Sequence, residues 1–275
     1  MNSRIIAITK SEGLISKSFI TKIKQHRSDL IVIKTSRIVE SDHRFVTEIL
    51  DIISKLDSGY VIFLSSKAVT VLFNIAFKLN RIDEFVQNIN QKFIVVAIGP
   101  STRDELQKNR VIVNYMPDTS SSKGVIDLFS KLKGYDIKHD NNNTVLPKII
   151  IPRSLLANDY LKIKLSELGF RVQEFFIYHA EPAEIDNNWL NFFNLIQNEK
   201  IDSLIFTSPS NVNFLFDILK KYSSDLLPLV YKIRLILSIG PLTSQELMKH
   251  NIPFIESKNH TLEGIFEELY KCDKT

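Results

Sequence analysis

A strand–turn–helix phrase occurs twice in this chain, and no other feature narrows the possible folds so far. Ile205-Phe-Thr-Ser-Pro-Ser-Asn-Val-Asn-Phe-Leu-Phe216 repeats Ile62-Phe-Leu-Ser-Ser-Lys-Ala-Val-Thr-Val-Leu-Phe73 at a distance of 143 residues. Each copy reads as an apolar β-type run, a polar turn, and apolar residues at helical spacing. Serine at the turn caps free N–H groups, and proline suits a first helical position. Ile98-Gly-Pro-Ser-Thr102 returns as Ile239-Gly-Pro-Leu-Thr243 after 141 residues, and Gly124-Val-Ile-Asp-Leu128 as Gly264-Ile-Phe-Glu-Glu268 after 140. Three phrases in one order at nearly one offset indicate a duplicated unit. The period is too long for a solenoid and suits a domain.

Hydrophobic periodicity places strands at 4–9, 30–33, 60–64, 93–98, 111–115, 148–151, 172–178 and 204–206. It places helices at 16–26, 45–56, 69–77, 103–109, 123–132, 159–168, 189–196 and 262–270. Residues 34–39 read as extended and polar, and 134–144, with Asn141 to Asn143, as a surface loop carrying a solvated His139. Alternation of strand and helix predicts parallel sheets with right-handed crossovers. In such sheets the carboxyl ends of the strands line the ligand crevice. Turns at Lys10, Ser65, Gly99, Arg153, Ser208 and Gly240 follow strand ends, so a cleft between two opposed halves is the expected site. Free N–H groups at these turns favour anions.

The chain of 275 residues is long enough for two domains, and 44% hydrophobic residues suffice for a core in each. The single cysteine, Cys272, excludes a disulfide framework and a cysteine-based metal site. No apolar run approaches the ~20 residues that span a bilayer, and the N-terminal run is too short for a signal peptide, so a cytosolic protein is expected. A net charge of +4 fits an anionic ligand. Basic residues are spread along the chain and aromatics lie inside apolar runs, so no nucleic-acid partner is expected. CxxC, HExxH, GxGxxG after a strand and P-loop patterns are all missing.

Ile205-Phe-Thr-Ser-Pro-Ser, Ile239-Gly-Pro-Leu-Thr, Pro152-Arg-Ser and Phe176-Ile-Tyr-His, in that register on a doubled α/β frame, resemble the uroporphyrinogen-III synthase family over nearly the whole chain. The resemblance implies two similar parallel-sheet α/β domains joined by a two-stranded linker, with a cleft between them. One would be discontinuous, 1–35 plus 182–275; the other would be continuous, 38–178; the linkers would be 35–39 and 177–181. It implies cyclisation of hydroxymethylbilane with loss of water, the last pyrrole being inverted through a spiro intermediate, in tetrapyrrole biosynthesis. No metal or organic cofactor is implied. The partners implied are the substrate and, as a candidate, hydroxymethylbilane synthase, with no membrane and a monomeric chain.

A carboxylate-rich substrate needs donors more than bases. Ser65, Ser66, Thr102, Thr207, Ser208 and Thr243 could offer hydroxyls or turn N–H groups, and Lys67 and Arg153 charge. The resemblance maps the family's tyrosine onto Tyr178, a candidate proton donor to the departing hydroxyl. The other reading of Tyr178 is a packed side chain with its hydroxyl bonded to backbone. Helix capping is the other reading of the turn hydroxyls. Leu64 and Leu242 depart from the family, which has hydroxyl residues there more often. His179 reads as a solvated linker residue. The alternatives from other classes are a two-lobed binder of a small anion and a regulatory protein that keeps the frame without catalysis.

Overall fold

Near-continuous apolar strands need cover on both faces, and the helices between them supply it. The computed structural model describes residues 3–11, 15–139 and 147–271. The N-terminal segment runs β1 (Arg4–Lys10), α1 (Lys17–Gln25), β2 (Ser28–Lys34) and β3 (Ser36–Glu40). The middle runs α2 (Arg44–Lys55), β4 (Gly59–Phe63), α3 (Ser66–Lys78), α4 (Ile82–Lys92), β5 (Phe93–Ala97), α5 (Pro100–Lys108), α6 (Ser122–His139), β6 (Lys148–Ser154), α7 (Tyr160–Glu167) and β7 (Arg171–Pro182). The remainder runs α8 (Asn187–Gln197), β8 (Ser203–Phe206), α9 (Pro209–Tyr222), a 3-10 turn (Ser224–Leu226), α10 (Leu227–Val230), β9 (Leu235–Ser238), α11 (Pro241–Lys249), β10 (Ile255–Glu256) and α12 (Leu262–Lys271).

Among the described residues the strands form two five-stranded sheets, ordered β10-β9-β8-β1-β2 and β3-β7-β6-β4-β5. The pairs among β1, β2, β8, β9 and β10, and among β4, β5, β6 and β7, are parallel, while Ser41 N–H to the Ile177 carbonyl and Ala183 N–H to the Thr35 carbonyl set β3 antiparallel to β7. The chain divides into two compact units, Met1–Ile38 with Glu181–Thr275, and Val39–Ala180. It passes from one unit to the other inside β3 and inside β7.

Both sheets share one plan. In the discontinuous unit β1 leads to β2 on one side, while β8 leads to β9 and β10 on the other. The order therefore reverses between β1 and β8. In the continuous unit β6 leads to β7 and β4 leads to β5, so the reversal lies between β6 and β4. A parallel bridge from Val96 to Tyr115 stands where a further strand would be. With β3 set aside as an added edge strand and the Tyr115 bridge counted in the fifth place, each follows the 2-1-3-4-5 layout of doubly wound sheets, whose ligand crevice lies at the reversal. The chain enters the plan at a different strand in each unit.

Side chains alternate across a strand, and β1 distributes its own accordingly. Ala7 packs into a cluster with Trp189, Phe192, Phe206 and Phe216. Ile6 and Ile8 pack with Phe19, Ile23, Leu237 and Leu269 on the opposite face. In the continuous unit Tyr60, Phe129 and Phe170 meet edge to face, at centroid distances of 5.1, 6.0 and 5.3 Å. Each such side chain, fully buried, contributes about 1.5–3 kcal/mol.

Two expectations change. Only Tyr115 of the stretch 111–115 bridges to a strand. The Asn114 side chain accepts the Val95 N–H at 2.7 Å, where a strand carbonyl would have served. Helix α6 does not stop before Gly134 but continues to His139. The rest of the expected loop with Asn141 to Asn143, the His139 side chain and Cys272 lie outside the described residues. Among the described residues no helix is long and apolar enough to cross a membrane.

Candidate functional site

In the continuous unit the strand ends lie along one edge, and α3, the helix that follows β4, is capped there. Ser65 has extended backbone, φ −164° and ψ 150°, and its Oγ accepts the Ala68 N–H at 3.1 Å, which starts α3. The same Oγ lies 2.9 Å from the Tyr178 hydroxyl. Tyr178 is on β7, and Ser65 follows β4, with β6 between them. Neighbouring strands are about 4.8 Å apart, so a long side chain is needed to reach across the end of β6. Tyrosine has that length. The bond therefore spans the reversal between β6 and β4.

The register of β6 on β7 shifts between Arg153 and Ser154, pairing Arg153 with Phe176 and Ser154 with Tyr178. Such irregularities re-aim side chains at the ends of strands. The Leu155 N–H then donates to the Tyr178 carbonyl at 2.8 Å, which fixes the tyrosine's backbone. Tyr178 is buried, 7% exposed. Burial raises its phenol above the ordinary value, while the Ser65 hydrogen bond and the Arg153 charge each pull it down. The net direction is upward, so Tyr178 is a protonated donor at neutral pH. Its hydroxyl bonds a side chain rather than backbone.

The discontinuous unit has a matching cap. Ser208, at φ −165° and ψ 159°, accepts the Asn211 N–H at 3.3 Å and starts α9. Here the reversal between β1 and β8 is filled by a polar network. Thr9 donates to the Ile205 carbonyl at 3.0 Å, and Thr207 to the Thr9 carbonyl at 2.7 Å. Asn211 donates to the Thr207 hydroxyl at 2.8 Å and accepts from Thr35 at 2.8 Å. Sequence reasoning missed Thr9, Thr35 and Asn211. A signal existed: Asn211 is a polar residue among the apolar positions of the second helix, where the first copy has Ala68.

The candidate residues fall into distinct surroundings. Ser66 and Lys67 sit half-buried in the first turn of α3. Thr102 and Thr243 are buried in the first turns of α5 and α11, behind Gly99 and Gly240. A Cβ at Gly99 would stand 2.5 Å from Ser120 Oγ, so a larger residue there would have to displace that side chain. The Thr207 hydroxyl is engaged within its own unit, so it is not an open donor as expected. Arg153 pairs with Glu174, with side chains only 9% and 3% exposed, so its guanidinium is held against the sheet rather than open to a ligand. His179 is half-buried rather than solvated. Leu64 packs against the apolar cluster around Tyr60, and Leu242 is 69% exposed. Each capped turn also leaves helix-terminal N–H groups at the strand-end edge, suited to carboxylates. Among the described residues no three His, Cys, Asp or Glu side chains group closely enough to hold a metal ion.

A family model described as uroporphyrinogen-III synthase HemD matches residues 17–267. A Methanothermobacter thermautotrophicus protein named "Putative uroporphyrinogen-III synthase" is 25% identical over 209 residues, 76% of each chain. Among solved structures, uroporphyrinogen-III synthetase from Helicobacter pylori superposes with a TM-score of 0.61 at 17% identity, covering 98% of this chain and 99% of its own. A mutant uroporphyrinogen III synthase from Thermus thermophilus superposes with a TM-score of 0.60 at 14% identity, covering 99% and 100%.

Proposed function

This chain belongs to the uroporphyrinogen-III synthase family, and from that premise we propose how its own residues carry the family's reaction. The chain is a lyase of tetrapyrrole biosynthesis that cyclises hydroxymethylbilane to uroporphyrinogen III. The observation that carries the residue assignment is the Ser65–Tyr178 hydrogen bond across the strand ends.

In this reading the C–O bond of the hydroxymethyl group breaks with its electron pair going to oxygen. That oxygen takes the Tyr178 proton and leaves as water. The pyrrole nitrogen lone pair stabilises the resulting cation. Attack through the spiro intermediate inverts the last ring, and the proton lost on rearomatisation restores the phenol. No proton is consumed overall. Ser65 orients the phenol. Burial suits this role, because a phenol held neutral at physiological pH donates rather than accepts.

The substrate can ionise unaided, so the protein's larger tasks are to hold the folded conformer and to exclude water from the cation. Hydroxyls and N–H groups at Ser65, Ser66, Thr102, Ser208 and Thr243, with Lys67, bind its carboxylates. The two compact units serve as the family's two domains, with 35–39 and 177–181 as links. The chain works as a cytosolic monomer on substrate supplied by hydroxymethylbilane synthase.

The test is to add hydroxymethylbilane, oxidise the product and separate the porphyrin isomers. Type III isomer formed faster than the spontaneous reaction is expected. Type I isomer alone would overturn the reading.

A further inference from the structure

We propose that the buried Arg153–Glu174 ion pair is a positioning element for Tyr178. Glu174 holds the guanidinium inside the sheet, and that fixed positive charge stabilises the phenolic oxygen as it loses its proton. The inference rests on the reading of Tyr178 as proton donor.

The geometry is local and entirely within the continuous unit. Ile151 pairs with Glu174 and Arg153 with Phe176, so Arg153 and Glu174 are diagonal neighbours on one face of two parallel strands. Both side chains are almost fully buried, and Arg153 Nε is buried with no hydrogen-bond partner among the described residues. A buried pair of this kind is costly to desolvate and is often replaceable by apolar side chains without loss of stability. Stability is therefore a weak reason for its presence here. Ser154, adjoining Arg153, pairs with Tyr178 at the register shift. The Arg153 charge pulls the Tyr178 phenol toward ionisation, against the effect of burial. Ser65 sets the direction of the phenol, and Arg153 its readiness to part with the proton. A residue acting through Tyr178 in this way alters turnover more than substrate binding.

Two paired replacements test this, R153M/E174L and the near-isosteric R153M/E174Q. Each removes both charges together, so neither leaves a lone buried ion; the second serves if the first fails to fold. The readouts are kcat and KM with hydroxymethylbilane, and the Tyr178 titration followed by NMR of 13Cζ-labelled tyrosine, with Y178F identifying the resonance. The expected result is a folded protein whose Tyr178 titrates at higher pH and whose kcat falls about tenfold, with KM little changed. An unchanged Tyr178 titration overturns the proposal, whatever happens to turnover. A raised KM at constant kcat also overturns it, and makes Arg153 a substrate ligand instead. Full activity in Y178F would remove the underlying assignment, while the NMR titration still reports whether the pair acts on the phenol.

Discussion

Replacing Asn211 by Ala should loosen the discontinuous unit by an amount that can be worked out from its partners. The Asn211 side chain accepts from Thr35 and donates to Thr207, both at 2.8 Å, and approaches the Thr9 carbonyl at 3.5 Å. The residue is 1% exposed, so water cannot replace these bonds without entering the core. Two good hydrogen bonds at about 1 kcal/mol each, plus the cost of leaving the Thr35 hydroxyl only the long 3.4 Å contact to the Lys10 carbonyl, give about 2–4 kcal/mol. Alanine's better helix propensity returns about 0.6 kcal/mol at this first-turn position. The net loss is then about 1.4–3.4 kcal/mol. Steric conflict is not expected, since the first copy of the repeat has Ala68 at the matching place. Trp189, the single tryptophan, reports on this unit alone. It is fully buried and its Nε1–H donates to the Lys34 carbonyl at 2.7 Å, one residue from Thr35. Urea unfolding followed by Trp189 emission should show the midpoint falling by about 1 M, for a slope typical of a domain this size. A midpoint within about 0.2 M of the parent would refute the reasoning, since the network would then stabilise nothing.

Other perturbations have separate readouts. S65A removes the α3 cap and the partner of Tyr178, so kcat should drop about tenfold and the melting temperature of the continuous unit should fall, measured by isomer-resolved kinetics and circular dichroism. G124A would place a Cβ 2.2 Å from the Thr119 carbonyl oxygen, so it should destabilise by about 1–3 kcal/mol in a thermal melt. Tyr178 has its phenol pKa raised on folding, so its contribution to stability is fully present below the ordinary value of 10.0 and is lost as pH rises above it. Y178F should flatten that alkaline decline in a pH series of unfolding curves. The proposed mechanism routes no step through a metal, so dialysis against a chelator should leave turnover unchanged.

The repeat made the two-sheet α/β plan legible because it fixed where strands end and helices begin. Ser65 and Ser208 cap their helices with nearly the same backbone angles, as a repeated phrase would require. What could not be read was whatever depends on distant pairing. The Ser65–Tyr178 bond joins residues 113 positions apart, and the Thr35–Asn211 bond residues 176 apart. No local pattern contains either. Helix α4 has a weak sequence signal because it starts two residues after Asn80, a left-handed residue, and carries buried side chains only at Phe85 and Ile89. Strand β10 is two residues long, too short for any alternation to register. Sequence alone leaves Arg153 an open charge because Glu174, its partner, sits in a different strand. The signal was a lone carboxylate in the run 172–178 and a lone guanidinium closing the run 148–153.

The central claim is that the phenol held by Ser65 gives its proton to the departing hydroxyl. The most direct measurement is the initial rate of type III porphyrinogen formation by Y178F, with the fold verified by circular dichroism. The account predicts a fall of about a hundredfold or more, leaving mainly the spontaneous type I isomer. Type III product at the parent's rate would contradict it.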